Sequence, residues 1–82
     1  MAEAVFEVEQ AGCESCATRV RAALEPLADV TEIAIDAEAD AATVRATGAG
    51  LSENAVNEAL EAASHGSGHA YRVRPGSWQA GA

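Results

Sequence analysis

The spacing of apolar residues along this chain switches between two periods, and the order of the switches leaves few folds open. Ala4, Phe6 and Val8 share one face of an alternating segment while Glu7 and Glu9 take the other, which predicts a half-buried strand. Ala17, Val20, Ala23, Leu24 and Leu27 then recur at helical spacing, with Arg19, Arg21 and Glu25 off the stripe and Pro26 near its end. Residues 30–35 return to strand character, facing inward through Ile33 and Ile35, and the polar, alanine-rich residues 36–41 form a turn. Residues 42–46 make a third strand, which Gly48 and Gly50 break. Ser52 is placed to N-cap a second helix running to about Ala63, with Val56, Ala59, Leu60 and Ala63 facing in. After a Gly-Ser-rich loop over 64–69, residues 71–74 form a short fourth strand that Pro75 and Gly76 end.

The order strand, helix, strand, strand, helix, strand is that of the α+β, ferredoxin-like βαββαβ sandwich. Its sheet is four-stranded and antiparallel, and both helices cover one face. Right-handed crossovers put the loop before the first helix and the loop before the fourth strand at the same end. The folded domain is expected over residues 1–75. Residues 76–82, with Trp78, show no pattern and are expected to be an unstructured tail or linker. With 82 residues, an alanine-rich apolar set and only Phe6, Tyr71 and Trp78 as aromatics, the two layers must be thin. A large internal cavity for an organic substrate is not expected.

The chemistry concentrates in Cys13 and Cys16, the only cysteines, which lie between the first strand and the first helix. With the helix expected to begin at about Cys16, both sulfurs sit at its positive end, beside unpaired backbone N–H groups that favour thiolate over thiol. Thiolates bind soft metals and attack disulfides. A redox pair of the thioredoxin type would carry Trp before the first cysteine and Pro inside the motif, and neither stands here. Both chemistries remain open on the residues alone.

The formal charge of −8, with five arginines as the only strong bases, argues against nucleic acid; such a surface either steers a basic protein partner or only keeps the chain soluble. No apolar run is long enough to span a bilayer, so no direct membrane insertion is expected. Without a charged-then-apolar leader the chain is expected to be cytoplasmic. In that compartment closely spaced cysteines bind metal or do catalysis rather than form a structural disulfide.

Taken together, Cys13-Glu14-Ser15-Cys16-Ala17 after a strand, Arg19-Val20, Ala23-Leu24, residues 30–36, Ala42-Thr43-Val44 and Tyr71 resemble the heavy-metal-associated domain family. That fold occurs in small copper chaperones and in the N-terminal domains of metal-pumping P-type ATPases. The resemblance covers residues 4 to 74 and implies that Cys13 and Cys16 hold Cu(I), Zn(II) or a related soft ion. The chain departs from the family where Gly and Met usually precede the first cysteine; Gln10 and Ala11 stand there instead. Immediately before Cys13, where copper domains often carry Thr and zinc or cadmium domains Asp, it has Gly12.

His65 and His69 lie in the loop that topology brings towards the cysteines, and imidazole suits both copper and zinc. The candidate metal ligands are therefore Cys13, Cys16, His65 and His69. The expected function is non-enzymatic, because no catalytic triad or second titratable cluster is evident. The chain would bind Cu(I) and deliver it by ligand exchange to a protein partner, a P-type ATPase or a chaperone. The alternatives are a Zn(II), Cd(II) or Hg(II) domain using the cysteines with the histidines, and a thiol–disulfide redox module.

Overall fold

Strand β1 (Glu3–Glu9) takes the centre of the sheet because its alternation is the cleanest in the chain: Ala4, Phe6 and Val8 are buried while Val5 and Glu7 are half-exposed. This is a computed structural model, and it describes residues 3–48, 51–66, 68 and 70–81. Helix α1 (Glu14–Leu24), strands β2 (Asp29–Asp36) and β3 (Ala41–Thr47), helix α2 (Glu53–Ser64) and the two-residue strand β4 (Arg72–Val73) follow. The sheet order is β2-β3-β1-β4, all antiparallel, which is the ferredoxin-like arrangement expected from the sequence. β1 and β3 pair along their whole length, from Glu3 opposite Thr47 to Glu9 opposite Ala41. The helices pack on each other, α1 also against β2 and α2 against β4.

Phe6 and Val8 meet Val44 of β3, Val20 and Leu24 of α1, and Val56 and Leu60 of α2 in one core. Among the described residues none of the buried ones is charged or polar apart from the ring hydroxyl of Tyr71. Ser52 caps α2 as expected, its hydroxyl accepting the Ala55 N–H at 3.2 Å. Helix α1 ends one residue before Glu25, which keeps helical dihedrals, and Pro26 stops any continuation.

Three features depart from the expectations. A bulge between Val30 and Glu32 shifts the β2–β3 register, so Val30 reaches the core side along with Ile33. Ile35 lies opposite the buried Ala42 yet remains 40% exposed, because β2 is the edge strand and Ile35 is its last core-side position before the turn. The larger correction concerns the C-terminus. Residues 79–81 were expected to be unstructured, but Gln79–Gly81 form a strand, β5, paired antiparallel with the first half of β1.

β4 and β5 thus share one edge of β1, and the Pro75-Gly76 turn lies between them. Arg74 N–H donates to the Glu7 carbonyl at 2.8 Å, and Glu7 N–H donates to Ser77 Oγ at 3.1 Å, so the ladder is patched across the interruption. Trp78, expected to lie outside the domain, stacks on Phe6 with ring centroids 4.8 Å apart and planes 15° from parallel. No apolar alternation marks Gln79-Ala80-Gly81. Backbone pairing and one aromatic anchor hold the strand, and neither leaves a periodic trace in sequence.

Candidate metal centre

The cysteine loop is shaped by a helix that begins earlier than expected. Cys13 is itself the N-cap of α1, in extended conformation (φ −133°, ψ 160°), and Cys16 lies in the first turn. The Cys16 N–H donates to Cys13 Sγ at 3.3 Å, so sulfur takes the role that an oxygen usually plays at this position. The Ser15 hydroxyl is 3.4 Å from the same sulfur. The positive end of the helix and the Cys16 N–H both face Cys13 Sγ.

The two sulfurs differ in surroundings. Cys13 is exposed, whereas Cys16 is only 1% exposed and extends the core stripe one turn ahead of Val20 and Leu24. The structure joins them as a disulfide, with Cα atoms 5.2 Å apart. That separation falls within the range of roughly 4.4–6.8 Å over which a disulfide closes without moving the backbone. The same spacing puts both sulfurs within reach of one ion once the bond is reduced.

The loop is braced on both sides. Ala11 is fully buried beneath it. Gly12 N–H donates to Asp40 Oδ1 at 3.3 Å, from the turn joining β2 to β3. A Cβ on Gly12 would lie 2.7 Å from the Asp40 Cα, so the two backbones touch and only glycine fits. On the other side, Gln10 Oε1 accepts the Ala70 N–H at 3.0 Å, tying the loop to the segment that follows α2. Neither contact was foreseen, since each joins side chain to backbone across 28 or 60 residues of sequence.

The remaining expected site residues are placed as follows. His65 caps the C-terminus of α2, exposed, with its N–H directed to the Ala62 carbonyl. His69 lies outside the described residues. Its neighbour Ala70 carries the bond to Gln10, so the α2–β4 loop does reach the cysteine loop, as the topology requires. Among the described residues, no group of three or more His, Cys, Asp and Glu side chains is arranged to hold a metal ion. Arg21 sits in the last turn of α1 and donates to the Val30 carbonyl at 3.3 Å, at the helix end remote from the sulfurs.

A family model for the heavy-metal-associated domain matches residues 5–66, which include the whole cysteine loop, both helices, most of β1 and all of β2 and β3. The chain belongs to this family. Comparison with curated proteins gives no match. As a heavy-metal-associated domain it is a module of metal binding and transfer, and the matched span contains Cys13, Cys16 and His65 but stops short of His69. β4, β5 and Trp78 lie beyond that span, so the C-terminal edge is described by the structure alone. No helix among the described residues is long and apolar enough to cross a membrane.

Proposed function

We propose that this heavy-metal-associated domain, in its reduced form, carries one soft metal ion on Cys13 and Cys16, with Cu(I) as the preferred cargo, and passes it to a protein partner. The observation that supports this most is the pairing of an exposed and a buried sulfur on one helix N-terminus. Two thiolates satisfy Cu(I), which accepts low coordination and soft donors, whereas Zn(II) asks for four ligands. The inequality of the sulfurs gives an order of exchange. An incoming thiolate can reach metal at exposed Cys13 first, while Cys16, held in the core, lets go last. The charge of −8 favours a basic partner surface, such as that of a chaperone or an ATPase domain. We place the protein in the cytoplasm, whose thiol buffers keep such a pair reduced.

The test is a titration under anaerobic conditions against a chromogenic Cu(I) chelator. The reduced chain should take one Cu(I) and the disulfide form none, because both sulfurs are then committed to each other. Equal uptake by the two forms would remove the cysteines from the site.

The histidines separate copper from zinc. His65→Ala/His69→Ala should keep most of the Cu(I) affinity and lose much more of the Zn(II) affinity, since zinc would need imidazole to complete a Cys₂His₂ set. Unchanged binding of both ions, measured by the same competition, would leave the histidines without a part.

The joined sulfurs favour one further reading, a thiol–disulfide redox module. It requires turnover with a small disulfide such as oxidised glutathione: two protein thiols become one disulfide while the substrate disulfide yields two thiols. Turnover no faster than that of a free dithiol would exclude it.

A further inference from the structure

The described residues include two non-glycine residues in the left-handed backbone region, Gln10 (φ 60°) and Asp40 (φ 51°), and both flank the cysteine loop. Side chains disfavour this region, and such conformations persist where surrounding contacts over-determine them. Here the contacts are specific. Gln10 uses its amide oxygen to hold the Ala70 N–H, and Asp40 uses its carboxylate to hold the Gly12 N–H. One bond fastens the strand side of the cysteine loop to the α2–β4 loop. The other fastens the residue before Cys13 to the β2–β3 turn, with which Gly12 is already in backbone contact.

We infer that Gln10 and Asp40 are positioning residues for the cysteine pair: two strained residues whose side-chain acceptors clamp the loop from opposite sides and slow the departure of bound metal. The inference rests on the metal-carrying role proposed above. At both positions the backbone and the side chain make conflicting demands. Glycine at either position would suit the backbone better but would lose the clamp. If the two residues were only structural, glycine would be neutral or beneficial throughout. If they position the sulfurs, glycine should preserve stability while loosening the site.

The experiment compares wild type with Gln10→Gly, Asp40→Gly and Asp40→Asn, the last of which keeps an acceptor oxygen and remains at ease in the left-handed region. Melting temperatures of the reduced, metal-free glycine variants should equal or exceed that of wild type. Release of Cu(I) to a chelator should be faster in both by about threefold to tenfold, the worth of one hydrogen bond. Asp40→Asn should release at nearly the wild-type rate. Hydrogen exchange at the Ala70 and Gly12 amides gives a readout that needs no metal: exchange at Ala70 should accelerate in Gln10→Gly, and at Gly12 in Asp40→Gly. Unchanged release in both glycine variants, or Asp40→Asn releasing as fast as Asp40→Gly, would overturn the inference. Failure of wild type to bind Cu(I) would instead overturn the proposed cargo, while the exchange measurements would still decide whether the clamps hold the loop.

Discussion

Replacing Cys13 with serine is expected to weaken Cu(I) binding by the reduced chain by at least about a hundredfold to a thousandfold. The magnitude follows from dividing the roughly 10–16 kcal/mol of a four-ligand thiolate or imidazole site among its donors, at about 2.5–4 kcal/mol each. With only two sulfurs in the proposed site, loss of one leaves no competent pair. Cys16→Ser should reduce affinity as much, but the two variants should part company when metal-free. Cys13 is exposed, so its hydroxyl substitute stays solvated and the melting temperature should hardly move. Cys16 is 1% exposed and packs within the core, where a hydroxyl without a good partner costs about 1–3 kcal/mol. Chelator competition and thermal melting, run side by side, check both halves. Undiminished affinity in the two variants would rule out this pair as the site.

Phe6→Ala is expected to remove roughly half of the stability of the domain. Phe6 is 1% exposed, belongs to the single core and supports the Trp78 ring. Truncating a buried phenylalanine costs about 3–5 kcal/mol, against a total of roughly 4–12 kcal/mol for a domain of this size. Trp78→Ala should cost less, near the 0.5–1.5 kcal/mol of the stacked pair plus the area it covers, roughly 2 kcal/mol in all. In a double variant the two losses should not add, because the stack cannot be lost twice. Urea denaturation of the four proteins measures this coupling. Fully additive losses would mean that the ring contact contributes nothing.

Which parts of this outcome could be seen in the residues has a physical explanation. β1, α1, β3 and α2 each bury a periodic face, and burial is what leaves a pattern in sequence. The cysteine pair is equally visible, whereas the start of α1 at Glu14 is not, because Glu14 and Ser15 offer no apolar signal. Cys16 could have been counted with Val20 and Leu24 as a stripe member at i, i+4 and i+8. β5 could not have been read this way, since backbone ladders are indifferent to side-chain identity. Gln10 and Asp40 were hidden for a related reason: their work is done through one acceptor atom each, on partners far away in the chain.

The pairing of Glu3 with Gly81 carries a consequence for how the domain could be mounted. The described ends of the chain are paired neighbours at one pole of the sheet. The sulfurs occupy the opposite pole, past Glu9 at the far end of β1. Seven strand residues separate the poles, a lever of roughly 20 Å. A flexible tether attached at either end would leave from the pole remote from the sulfurs, so the domain could swing on it with its cysteine tip facing outward. Joining the two ends by a short peptide should close the ring without touching the tip, a change that compact domains with adjacent termini accommodate.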